Sequence, residues 1–228
     1  MDNEQTKKSY VNGYFVEISS DERRCTIFFE ESQQILCNSL DKLNVLCNLI
    51  ISPSYDKLSF LINSIKPLSQ VMNKKHKDYR RFCYSDGITM AKNLGFQIFY
   101  LEQDKQTLSW LNMNNIYVID ETYYIYLGVK ELVDIHQDEK FSMFSPIIEK
   151  RNIYLAPELT SISSIPANFH KNAVYYSLAQ IIVVCLMPDQ DKYKGNPGLL
   201  FPIVDTSLYW FLIRCFRNDP KSRVCLLF

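Results

Sequence analysis

The sequence predicts an α+β protein: strand patterns crowd the start of the chain, helical patterns fill most of the rest, and one short hairpin interrupts the helical part. Residues 10 to 31 carry the first of these signals. YVNGYFVEIS and RRCTIFFEES read as two strands joined by the polar turn Ser20-Asp21-Glu22, with period-two alternation clearest in the first. The segment from Ile35 to Ile51 reads as a helix followed by a strand and ends at Ser52-Pro53. From Tyr55 the spacing turns helical, with Leu58, Leu61, Ile62, Ile65, Leu68 and Val71 three and four apart and Pro67 kinking the run. The basic run Lys74-Lys75-His76-Lys77 reads as a solvated turn. Ser85 and Asp86 can cap a helix that carries Ile88, Ala91, Leu94, Ile98 and Leu101 on one face.

Two short strands follow, Ile116 to Ile119 and Tyr123 to Leu127, around the tight turn Asp120-Glu121-Thr122. A polar, irregular stretch then leads to Asn172 to Met187, which is apolar nearly all round and so predicts a helix buried in the middle of the helical part. A last helix runs from Thr206 to about Arg217 and stops before Asp219-Pro220.

Composition narrows the function classes. The chain has 228 residues, 47% of them hydrophobic and 22% charged, which suits a folded globular protein and excludes a mostly disordered one. Lys+Arg and Asp+Glu cancel at 25 each, so no overall field favours nucleic acid or an anionic membrane, and a protein partner recognised locally is expected instead. The polar start MDNEQTKKSY and the lack of any stretch near ~18 apolar residues predict neither secretion nor a membrane anchor. Seven scattered cysteines, mostly inside apolar runs such as VLCNLII and IIVVCLM, read as buried thiols in an intracellular, cytoplasmic protein.

Four short motifs in order give the reading a direction. Asn115-Ile116-Tyr117-Val118-Ile119-Asp120 resembles the catalytic-loop Asn of the eukaryotic-type protein kinases running into its strand, and Leu155-Ala156-Pro157-Glu158-Leu159 resembles the segment that closes their activation loop. Tyr175-Tyr176-Ser177-Leu178-Ala179 is similar to the opening of their central buried helix. Arg214-Cys215-Phe216-Arg217-Asn218-Asp219-Pro220-Lys221-Ser222-Arg223 is similar to the Asp-Pro-x-x-Arg end of their larger lobe. The resemblance covers roughly Tyr55 to Phe228. LYWFLIRCF and YYSLAQII also look like the kinase-like proteins of giant DNA viruses, which implies a viral protein with a viral component as partner and a place associated with the virion.

The resemblance implies a reduced, β-containing N-terminal lobe over 1–52 and a mostly helical C-terminal lobe over 53–228. It also implies a structural ion pair between Glu158 and Arg223. The chemistry is another matter, since phosphoryl transfer needs a Gly-rich loop, a strand Lys, an Asp base, and an Asn and Asp on magnesium. Gly13 is the only glycine before Gly87, and neither N-terminal strand contains a Lys. Counting back from Asn115 puts Trp110 at the base position and Asn112 at that of the phosphate-steering Lys; an indole cannot accept the substrate proton. The metal-binding Asp-Phe-Gly is replaced by a stretch near Gly128-Val129-Lys130-Glu131, and the Asp that opens the central helix by Val174. The expectation is therefore a pseudokinase with no catalytic residues, no metal, no cofactor and no bound ATP, acting as a protein-binding scaffold.

Blander readings accompany these residues. Asn115 reads as a polar residue capping the turn before a strand, and Trp110 as a packed anchor. His76, His136 and His170 have no partners at ligand spacing, and the doublets Glu30-Glu31 and Arg80-Arg81 read as solvated faces. Two rival functions stand beside the scaffold. One is a divergent Ser/Thr kinase rebuilding its site from Asp120, Glu131 or Asp134; the other is a structural component of a virion or large assembly.

Overall fold

The computed structural model describes residues 12–19, 23–77, 82–145, 153–187 and 197–223. The fold is mixed α+β. Strand β1 (Tyr14–Ser19) pairs antiparallel with β2 (Arg24–Phe29), as expected for the hairpin; its turn residues 20–22 lie outside the described residues. Helix α1 (Gln34–Leu43) and strand β3 (Cys47–Ile51) follow, and β4 (Lys57–Leu61) pairs with both β2 and β3. The result is one four-stranded antiparallel sheet in the order β1-β2-β4-β3. Cys25, Ile27 and Phe29 on alternate positions of β2, with Leu58 and Phe60 of β4, bury against Leu36, Cys37 and Leu40 of α1.

The helical expectation from Tyr55 onward fails at its start. Leu58, Phe60 and Ile62 are also a period-two set, and it is this face that is buried, while Leu61 is only half covered. β-partners on both sides decide between the two periods. A break after residue 52 therefore falls between β3 and β4, two strands that pair. Strand β5 (Ile65–Pro67) comes next, with Pro67 at its end, and helix α2 (Leu68–Lys77) begins one residue later. The run 74–77 is the last turn of that helix, not a free turn.

Helix α3 (Tyr84–Gln103) starts earlier than Ser85-Asp86 predicts. Its cap is Cys83, whose backbone N–H donates to the Asp86 carboxylate at 2.9 Å. Met90, Ala91, Leu94, Ile98 and Leu101 then face the larger core. Strands β6 (Gln106–Leu108), β7 (Ile116–Ile119) and β8 (Tyr123–Tyr126) follow. The β7–β8 turn has Asp120 and Glu121 at φ 50 and 58, as the two central residues of a type I′ turn require.

The stretch read as irregular holds structure. Strand β9 (Leu132–Asp134) pairs with β6, and β10 (Lys140–Met143) pairs with β11 (Ala167–His170), with helix α4 (Pro157–Thr160) between the last two. Helix α5 (Ala173–Leu186) is the buried element its composition predicts; Val174, Leu178, Ala179, Ile181, Ile182 and Val183 are fully covered. Helix α6 (Ser207–Cys215) is capped by the Thr206 hydroxyl, which accepts from Tyr209 N–H at 3.2 Å. Among the described residues no helix is long and apolar enough to cross a membrane.

Candidate functional site

Asn115 ends the short 3-10 turn Met113–Asn115 that leads into β7, and it is fully buried. The capping role expected of it belongs to Asn112, whose side-chain oxygen accepts from Asn114 N–H at 3.1 Å. Asn115 is instead the hub of a buried polar cluster. Its Oδ1 accepts from Asn12 Nδ2 at 2.8 Å and from the Tyr14 hydroxyl at 3.2 Å, while its Nδ2 donates to Glu131 Oε2 at 3.3 Å. Tyr14 also meets the Tyr117 hydroxyl at 3.4 Å. The start of β1 thus lies on the turn before β7 and on the segment after β8, with Gly13 against Val129.

Gly128 makes this close approach possible. A Cβ there would sit 2.5 Å from both Asn115 Nδ2 and Glu131 Oε2, and 2.7 Å from the Tyr126 hydroxyl. Burial pushes Glu131 above the usual carboxylate range, a rise opposed by hydrogen bonds from Tyr126 and Asn115. Burial likewise raises the Tyr126 and Tyr14 hydroxyls. Among the described residues Glu131 has no ion pair, so the cluster is held by neutral hydrogen bonds around one acid. Sequence spacing carried no signal for this contact, because Asn12 and Asn115 are 103 positions apart.

The cluster does not fit magnesium. Both lone pairs of the Asn115 amide oxygen face donors, and the ion would need oxygen ligands turned toward it. The other acids named as rivals are committed elsewhere. Asp120 Oδ1 accepts from the Asn63 and Ser64 amides at 2.7 Å each, fixing the β4–β5 connection to the β7–β8 turn. Asp134 Oδ1 accepts from Gln106 at 3.0 Å across the β6–β9 pair. Among the described residues no group of three His, Cys, Asp or Glu side chains could hold a metal ion.

Trp110 is half-buried and packs against the third apolar cluster, whose buried members are Phe141, Leu155, Ala156, Leu159, Phe169 and Ala173. This cluster joins β10, β11 and α4 to the start of α5. Ser177 adds a polar tie, its hydroxyl donating to the Tyr154 carbonyl at 2.6 Å.

Glu158 and Arg223, 65 positions apart, meet in a bidentate pair: Nη1 to Oε1 at 2.5 Å and Nη2 to Oε2 at 3.0 Å. Arg223 is fully buried, and Glu158 keeps 21% of its side chain exposed. The guanidinium also donates to the carbonyls of Arg217 at 2.8 Å and Asn218 at 3.3 Å, and it lies over the Tyr176 ring. All three of its nitrogens therefore have hydrogen-bond partners. His136 and His170 sit at the rim of the β10–β11 pair, while the side chain of His76, Arg80-Arg81 and Cys225 lie outside the described residues.

Comparison with protein-family models finds none that matches the chain, and comparison with curated proteins finds no similar sequence.

Proposed function

We propose that the protein is a catalytically inactive member of the protein-kinase-like class, with a small β-rich lobe and a larger helical lobe, whose work is binding another protein. The element order supports this: an antiparallel sheet with one helix inserted after its second strand, then α-helices around a fully buried α5. The Glu158–Arg223 pair supports it too, because it fastens α4 to the turn after α6.

The loss of catalysis rests on one observation above the others. Asn115, the only residue that resembles the catalytic set, spends its amide on Asn12, Tyr14 and Glu131. Phosphoryl transfer depends on metal ions, Lys and backbone amides placed in advance around the γ-phosphoryl group. Here the start of β1 lies against that asparagine, and the position of the base carries an indole packed among Leu155, Leu159 and their neighbours.

The test is thermal unfolding of the purified chain with and without millimolar magnesium–ATP. A ligand at a hundred times its Kd would stabilise the folded state by about 2.7 kcal/mol. Superimposable curves are expected. A magnesium-dependent shift of several degrees, together with labelled phosphate transferred to a generic substrate, would overturn the reading in favour of a divergent kinase.

A further inference from the structure

A cleft of about 520 Å³ lies on the helical part, away from the Asn115 cluster, between the end of α3, the turn before β10, the β11–α5 junction and the turn after α6. Its walls are Phe99, which is 45% exposed, and the charged side chains of Glu102, Glu139, His170, Lys171 and Lys221. Three of these groups are shifted from their ordinary values. Burial raises Glu102 and lowers His170, and the Glu102 carboxylate beside Lys171 helps to raise the ammonium. Such a group of perturbed side chains in one concave place is a mark of a binding site.

The direction of the hydrogen bonds says what the site would take. His170 Nδ1 accepts from Asn172 N–H at 3.2 Å, so in the neutral ring the proton sits on Nε2, which faces Glu139 Oε2 across 3.7 Å, too far for a hydrogen bond. Lys171 Nζ reaches Glu139 Oε1 at 3.2 Å and Glu102 Oε2 at 3.2 Å. The Lys221 ammonium has no hydrogen bond or ion pair among the described residues. Lys171 and, farther off, His170 therefore face the Glu139 carboxylate, and the Lys221 ammonium lines the same cleft.

The remaining acids are already committed. Glu102 is held from below by Lys171 and by the Tyr175 hydroxyl at 3.0 Å. Asp138 pairs with Lys140 at 2.7 Å, and Asp219 accepts from the Lys221 N–H and the Ser222 hydroxyl of its own turn. Glu139 alone is replaceable. It is 60% exposed, sits on a tight turn at φ 60, and its surface ion pair is weak.

We propose that this cleft docks an acidic segment of a protein partner, whose carboxylate takes the place of Glu139 against Lys171, His170 and Lys221 while a neighbouring aromatic side chain lies on Phe99. Glu139 is a stand-in for the partner's carboxylate, supplied by the chain itself. The inference rests on the binding-module reading and names the chemistry of its partner.

Fluorescence anisotropy with a dye-labelled, end-capped peptide Gly-Phe-Glu-Phe-Gly tests it. Saturable binding is expected, weakened at least about fivefold when the peptide's Glu is replaced by Gln. Glu139→Gln, which removes the competitor, tightens binding about two- to fivefold, and Lys221→Ala weakens it by a similar factor. Lys221 is exposed, so its loss leaves the fold intact, as a melting curve would verify. Equal binding of the Glu and Gln peptides, or an unchanged affinity in Glu139→Gln, overturns the proposal, as does the absence of binding to both the natural chain and Glu139→Gln. Inorganic phosphate or glutarate competing as well as the peptide would show a small-anion site and would also overturn it. None of these outcomes bears on magnesium–ATP, whose melting test decides the parent reading separately.

Discussion

Arg223→Ala is the most informative single change. The substitution removes a bidentate pair to Glu158, two hydrogen bonds to the Arg217 and Asn218 carbonyls, and the contact with the Tyr176 ring. Breaking a buried ion pair by removing one partner costs ~3–5 kcal/mol, because the other charge stays behind without compensation. Glu158 keeps 21% of its side chain exposed and can recover some hydration, which places the cost of Arg223→Ala near the lower end of that range, at about 3 kcal/mol. The reverse change, Glu158→Ala, leaves a fully buried guanidinium with two carbonyls and the Tyr176 ring but no anion, and is the costlier of the two. Arg223→Lys fails as a rescue, because a point ammonium cannot span both carboxylate oxygens. Urea unfolding of both single variants and the double variant measures the coupling. A coupling of ~2–3 kcal/mol is expected from one shared buried pair. Strictly additive single effects, or a loss under ~0.5 kcal/mol for Arg223→Ala, would refute the reasoning, since surface changes fall in that range.

Three further changes follow from the buried cluster and the central helix. Glu131→Gln should stabilise the chain at neutral pH, because it keeps a hydrogen-bond acceptor for Asn115 and removes a buried acid with no ion pair among the described residues. The sign follows from the raised folded-state pKa: the acid's cost is absent below its ordinary value of 4.5 and grows as pH rises through the folded value. The advantage of Glu131→Gln in urea midpoints should therefore vanish near pH 4, and an advantage independent of pH would count against this account. Gly128→Ala drives a methyl into Asn115, Glu131 and Tyr126 and should cost ~1–3 kcal/mol by thermal unfolding, whereas a neutral result would mean β1 can lift off freely. Leu178→Ala in the fully buried α5 should cost ~2–5 kcal/mol in the same assay, and a loss under ~1 kcal/mol would mean the site collapses around the cavity.

Sequence patterns were legible where one physical rule acted alone. The β1–β2 hairpin follows from its alternation, the β7–β8 hairpin from two short strand-like runs around a tight turn, and α5 from being apolar nearly all round. They were misleading where two rules competed, as at Leu58 to Leu61, where spacing fits a helix and pairing with β2 and β3 makes a strand, and at Ile65, which pairs with β7. Strands β6, β9, β10 and β11 are three or four residues long and find partners far away in sequence, so no local window could reveal them. The Asn115 cluster was illegible for the same reason. Asn12 and Asn115, which bond directly, are 103 positions apart, so although Asn115 and Glu131 stand out in the sequence, no local window joins them to Asn12 and Tyr14.

If the proposed inactivity holds, Trp110 bears on whether an active state would lie a single substitution away. An Asp placed there would set a carboxylate at the edge of the third apolar cluster, where an unpaired charge is costly and the lost ring leaves a gap. The cost would fall on the same cluster that holds α4 and, through Ala173, the start of α5. Restoring a metal site would also require Asn115 to release Asn12 and Tyr14, which would leave the 3.4 Å Tyr14–Tyr117 contact to tie the start of β1 to β7. The two changes lie on different clusters and would add in cost. Under the proposed reading, packing as well as missing side chains would oppose phosphoryl transfer. Trp110→Asp should consequently lower the melting temperature by several degrees while producing no labelled phosphate; an active and equally stable variant would show that the indole at 110 was the sole barrier.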